Sequence, residues 1–454
     1  MKHSMTTESM PRRATCRHGL MPWIVLGGLG LLASSAAIQA GEASPDVRQA
    51  TFFGTEKADL LAGAAFLGDG SVVLGGTVGG TRGTKGDTIE GAQGVVVVLR
   101  PDGRKAAEKP LPSPVSDLDV DTDGNVLVVG ATGVLALDPA LKNVLWSSDL
   151  GGADARLCAG PDATAVVLSG KSIGILDRRG SMAGRFDVAG GYITDVACDP
   201  ALRLIYVCGF DNKSGTPPGQ KKYPVQVAFV RALGFDGRQV WQAYGWGGQQ
   251  VADLHLMADT RAYRLCAVGG KLYVAGESAG GNTIWTRGSL DLAEKDHFVK
   301  GDAFQHAYNT SANHITAIAR LDGKTGRSEI ATLLLARLSS GKGNTIRPRA
   351  VAADAQGNVY VGGASAFSPP KSPGSYGREG GGAYFVVFDA RFERRYATTL
   401  AGGGTTRAIA VGPSGVVAVG DCTTEFEPLK PLKAEGDTQG DGFMVWFGAP
   451  WPAP

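Results

Sequence analysis

Along residues 351 to 365, "VAADAQGNVYVGGAS", small apolar residues run up to Ala353, a polar turn runs from Asp354 to Asn358, and an apolar run resumes at Val359. Apolar run, turn, apolar run predicts a β-hairpin, with Gly357 and Asn358 suited to positive φ and the Asp354 carboxylate placed to accept amides ahead of it. The same grammar returns in "AAFLGDGSVVLGGT" (64–77), "LDVDTDGNVLVVGAT" (118–132), "LCAGPDATAVVLSG" (157–170), "VACDPALRLIYVCGF" (196–210), "LCAVGGKLYVAGES" (265–278) and "AIAVGPSGVVAVGDC" (408–422). Copies at intervals of roughly 40 residues or more are the spacing of solenoids, propellers and arrays.

A second hairpin phrase follows most copies of the first, as in "VVVVLRPDGR" (95–104), "GVLALDPALKNVLW" (133–146), "FVRALGFDGRQVW" (229–241) and "YFVVFDARFERRY" (384–396). Two hairpins per repeat make a four-stranded antiparallel unit, the blade of an all-β propeller. The seventh copy ends in "GFMVWFG" (442–448) without a fourth strand, while an orphan strand, Ala50 to Gly54, precedes the first copy. That orphan strand is expected to complete blade seven and close a seven-bladed ring, which removes the open edges of a linear array.

Asp354, Gly357, Asn358, Val359, Tyr360 and Val361 resemble the bacterial seven-bladed propeller repeat (SBBP-type) family, whose repeat reads roughly D-x-x-G-N-V-Y-V-T-G. Asp121, Gly124, Asn125 and Val126 match nearly as well, Gly362 replaces the usual Thr, and the other copies are degenerate. The resemblance implies a propeller in a secreted setting and names no reaction. "FDGRQVW" (235–241) is similar to the tryptophan-docking phrase of quinoprotein dehydrogenases, but among the blades only "LKNVLW" ends in a comparable way.

Composition agrees with dense turns: Gly supplies 67 of 454 residues, about twice the usual share. The net charge of +2 gives no case for nucleic acid. Arg12, Arg13 and Arg17 ahead of the apolar run Trp23 to Ala33, then "SSAAIQA", read as a secretory signal over residues 1–40, too short in its apolar core to remain as a membrane span. The expected mature chain, 41–454, is one propeller domain in a secreted or periplasmic setting, with an insertion at about 277–316. Of the cysteines after that segment, Cys158, Cys198 and Cys266 stand where other copies carry Ala or Val, which predicts small buried hydrophobes. No C-x-x-C is present.

Two groups of residues are candidate chemistry. His297, His306 and His314 lie in or beside the longest departure from the repeat, where loop function concentrates. With Asp302 they form a candidate divalent-metal set, the one cofactor the sequence suggests. Asp117, Arg156, Asp195, Arg264, Arg349 and Arg407 enter the first strand of their blades, which lines the channel of a propeller. Four arginines against two aspartates at one mouth would favour an anionic ligand. No GxSxG elbow, kinase motif set or zincin motif is present. The sequence therefore reads as a binding or scaffold module for a small anionic ligand or another secreted or cell-surface protein. The alternative is a hydrolase or lyase using the histidine-bearing insertion.

Overall fold

The computed structural model describes residues 45–83, 89–300, 314–340, 342–367, 369, 371–423, 426–433, 436 and 440–448. Seven antiparallel sheets of four strands follow one another around a ring. Their innermost strands are Ala58–Phe66, Val115–Val120, Arg156–Ala159, Tyr192–Asp199, Thr260–Val268, Ile346–Ala353 and Thr405–Gly412. Each of these packs against the next, and the seventh against the first. The closing strand is Val47–Phe53, paired antiparallel with Asp441–Phe447, so blade seven is built from both ends of the described chain as the orphan strand predicts. The candidate signal segment lies outside the described residues. No helix among the described residues is long and apolar enough to cross a membrane.

The repeated Asp turns hold the hairpins in register. Asp354 Oδ1 accepts the amides of Gln356 and Asn358, and its Oδ2 takes the Asn358 amide nitrogen at 2.7 Å and the Tyr360 hydroxyl at 2.9 Å. Gly357 completes the turn at φ +87, a conformation that penalises a side chain. Asp121 repeats the arrangement with Asn125.

Aromatic residues on outer strands dock on the outer turn of the following blade. Trp146 lies against Gly180, Phe186 against Gly237 and Trp241 against Gly326, where a Cβ on any of these glycines would meet the ring. Trp241 also donates Nε1–H to the Gly323 carbonyl at 3.0 Å. The tryptophan phrase is therefore a blade-to-blade packing device in this chain.

Between blades the inner strands are stapled by side chains. Asp117 accepts the Leu157 amide, Asp119 the Ala159 amide and Asp195 the Leu265 amide, at 3.1, 2.9 and 2.8 Å. Buried acceptors that satisfy a neighbour's amide offset much of what their own burial costs.

Cys158 and Cys198 form a disulfide joining blades three and four. This corrects the expectation of simple buried hydrophobes. Adjacent inner strands are staggered by one residue, as Leu157 on Asp117 shows, and that stagger brings the two Cα atoms within 5.9 Å. Cys208, Cys266 and Cys422 remain free thiols.

Candidate functional site

The six channel residues named from sequence all line one cavity of about 650 Å³ on the axis of the ring. None is exposed. They do not share one register position. Most inner strands carry a one-residue bulge near their start, and Asp117, Asp195 and Arg264 follow it, as Arg156 does by equivalent pairing in blade three. Arg349 and Arg407 occupy the bulge itself, between Pro348 and Ala350 and between Thr406 and Ala408. The repeat phrase gives no signal for that offset, because the bulge adds a residue without altering the apolar pattern.

Along the whole cavity wall the formal charges balance. Asp119 and Asp121 join Asp117 and Asp195 opposite Arg156, Arg264, Arg349 and Arg407. Burial pushes the Asp117 carboxyl up to about 6 against the opposing pull of Arg156, and burial raises Asp119 and Asp195 as well. Burial draws Arg264 down to about 10, with the like charge of Arg156 adding to it. Arg264 donates Nε–H to the Arg349 carbonyl at 2.8 Å, and Arg156 donates to the Ser116 carbonyl at 3.2 Å. Both arginines are thus tied to the backbone of a neighbouring inner strand.

One step outward, toward the end where the blade-five insertion leaves the sheet, the balance changes. Glu277, 1 % exposed, pairs with the Arg261 Nη1 and with the Arg347 Nε at 3.1 Å, and the His314 Nδ1 lies 3.3 Å away without making a hydrogen bond. Arg349 rests on the face of Tyr263 at 5.5 Å, and Arg261 Nη1 approaches the Tyr263 hydroxyl at 3.4 Å. Two guanidiniums thus meet one buried carboxylate between blades five and six, with the His314 ring beside it and a third guanidinium, Arg349, on the neighbouring Tyr263.

Asp421, 3 % exposed, stands at the equivalent position of blade seven and pairs with Arg407 at 2.6 Å and with Arg82 of blade one at 3.1 Å. In both places a buried acid binds one arginine from its own inner strand and one from the following blade. Sequence reasoning missed Arg82, Arg261, Tyr263, Glu277 and Arg347. The signal available was an acid directly after the Gly that ends the apolar run, in "AGES" and "VGDC".

The two described histidines of the candidate metal set lie apart. His297 offers its carbonyl to the Ala331 amide on the outermost strand of blade five, whereas His314 precedes Ile315 and faces Glu277. Ala331 pairs with Ala319, so the two histidines are separated by about five residues of strand, roughly 17 Å. They cannot ligate one ion together. Among the described residues no group of three His, Cys, Asp or Glu is gathered to hold a metal. His306 and Asp302 lie outside the described residues.

The described part of the insertion is also packed rather than free. Ile284, Trp285 and Leu292 enter the core between blades four and five, and Trp285 donates Nε1–H to the Glu277 carbonyl at 3.1 Å.

No protein-family model and no curated protein matches this sequence. Among solved structures, the crystal structure of the RRP9 WD40 repeats superposes with a TM-score of 0.52 at 10% identity, covering 89% of this chain and 99% of that one. The Pan2 WD40 domain of Neurospora crassa gives 0.46 at 10% identity, with the same coverage of each chain. The first similarity agrees with the propeller fold and extends no further.

Proposed function

We propose that this propeller is a binding module that takes a small anionic ligand at the channel mouth beside the blade-five insertion. The carrying observation is the gathering of Arg261, Arg347 and Arg349 at one end of the channel, where Glu277 pairs with Arg261 and Arg347 while Arg349 rests on Tyr263. Like charges held this close repel, and a bound anion relieves that repulsion while accepting the planar fork of a guanidinium. Arg349 is the principal anchor, because it is held by Tyr263 and not by a carboxylate. The cavity below it, about 650 Å³, falls within the range of small-molecule sites.

An exported, periplasmic or secreted setting and kinship with the bacterial propeller repeat belong to the same proposal. The Cys158–Cys198 disulfide supports an oxidising compartment, and the Asp354 and Asp121 turns support the kinship.

The test is calorimetric titration with citrate at low salt. Wild-type protein should bind, Arg349→Ala and Arg347→Ala should each weaken binding about tenfold, and Lys105→Ala, on an exposed outer strand, should bind as wild type. Absence of binding by the wild-type protein, or equal affinity in all variants, contradicts the proposal.

A further inference from the structure

We infer that the ligand of this mouth is an acidic oligosaccharide, an assignment that rests on the anion-binding proposal and specifies it. The observation is an aromatic platform continuous with the arginine cluster. Tyr192, 52 % exposed, stacks on Phe210 with ring centres 4.7 Å apart and planes 16° from parallel. Arg261 lies over the same Phe210 ring at 5.5 Å and reaches on to Glu277, which Arg347 meets from blade six.

The strip therefore runs from a flat apolar face on blade four to guanidiniums on blades five and six. A sugar ring has a flat C–H face that packs on an aromatic plane, and a uronate carboxylate provides the anion that the arginines take. Beside the platform, Gln226 donates its side-chain amide to Asn212 at 3.0 Å, and this neutral amide pair suits hydroxyl groups.

The ligand is an oligomer because the strip stays open beyond Tyr192. The connections between second and third strands in blades two and three are only 131–132 and 170–171. They raise no wall, and the exposed Lys171, bonded to the Gly190 carbonyl at 2.6 Å, adds a cation on that side. A chain of acidic sugars can lie from the arginines across Tyr192 toward Lys171.

The experiment titrates the full protein with tetragalacturonate, maltotetraose, uridine monophosphate and citrate, in wild type and in Tyr192→Ala, whose exposed side chain leaves the core unaltered. The inference expects tetragalacturonate to bind tightest of the four, maltotetraose weakest, and Tyr192→Ala to weaken tetragalacturonate about tenfold while leaving citrate unchanged. Citrate binding with no gain for tetragalacturonate and no effect of Tyr192→Ala overturns the saccharide assignment and leaves the anion reading standing. A Tyr192 dependence for uridine monophosphate alone overturns it in favour of a nucleotide. Failure of every probe overturns both.

Discussion

Blades two and three carry the repeat with almost nothing added, whereas blades five, six and seven carry it with long connections from second to third strand, 279–314, 366–381 and 423–440. In the elaborated blades those connections double back over the outermost strand. Val299 pairs with Ala331 in blade five, Ser372 and Arg378 with Ala397 and Thr399 in blade six, and Leu429 with Ala50 in blade seven. In the bare blades the outer strands stay uncovered and leave Val144, Leu145 and Met182 exposed. The bare side is instead held by the disulfide and by aspartates on neighbouring amides. Each long insertion thus shields a sheet edge, and that of blade five also reaches Glu277 through Trp285.

The comparison breaks most visibly at the ring closure. Deleting residues 46–57 uncovers the third strand of blade seven and removes the partner of Leu429. The melting temperature should fall by roughly 10 °C or more, and an unchanged transition in a thermal scan contradicts the closure.

Next comes the packed half of the blade-five insertion. Trp285, 1 % exposed, is expected to lower stability by about 3–5 kcal/mol when changed to Ala, measured by denaturant unfolding. A change below about 1 kcal/mol would mean that the insertion is dispensable cover.

On the bare side the disulfide is the corresponding element. Cys158→Ala opens a link between residues 40 apart and should cost about 3 kcal/mol, while Cys266→Ala should be nearly neutral. The same stagger places Ala353 opposite Cys266, with its amide facing the sulfur. Ala353→Cys should therefore give the elaborated side its own disulfide, seen in thiol titration as one free thiol fewer than in the Ala353→Ser control, the lost signal being that of Cys266.

The smallest effect is electrostatic. Folded Asp117 holds its proton up to about pH 6, whereas the unfolded chain releases it near pH 4. Its contribution to stability therefore falls as pH rises from about 4 to 6 and stays reduced above that. Asp117→Asn should be more stable than wild type at neutral pH by about 1–3 kcal/mol, with the difference vanishing below about pH 4. A variant less stable at neutral pH would show that the ionised carboxylate is required there.

Much of this architecture was legible because it is periodic. The turn aspartates, the apolar runs and the unpaired strand at Ala50 each follow from local chemistry, and the structure pairs Ala50 with Val445. The channel residues were legible as a group because entry to the first strand is a fixed place in each repeat. What the repeat could not reveal is how neighbouring blades meet. The bulge that shifts Arg349 and Arg407, the stagger that joins Cys158 to Cys198, and the meeting of Arg261, Glu277 and Arg347 all arise between elements distant in sequence. His297 and His314 show the converse: they are close in sequence, but strand Ile315–Asp322 carries the chain away between His314 and the outer edge where His297 sits.

The central claim is that the mouth between blades five and six is an anion site, and anomalous diffraction from crystals soaked in selenate tests it most directly. A selenium peak within hydrogen-bonding reach of the Arg347 or Arg349 guanidinium, absent in Arg349→Ala crystals, is the predicted result. Selenium found only on exposed lysines, with the mouth empty, would contradict the account.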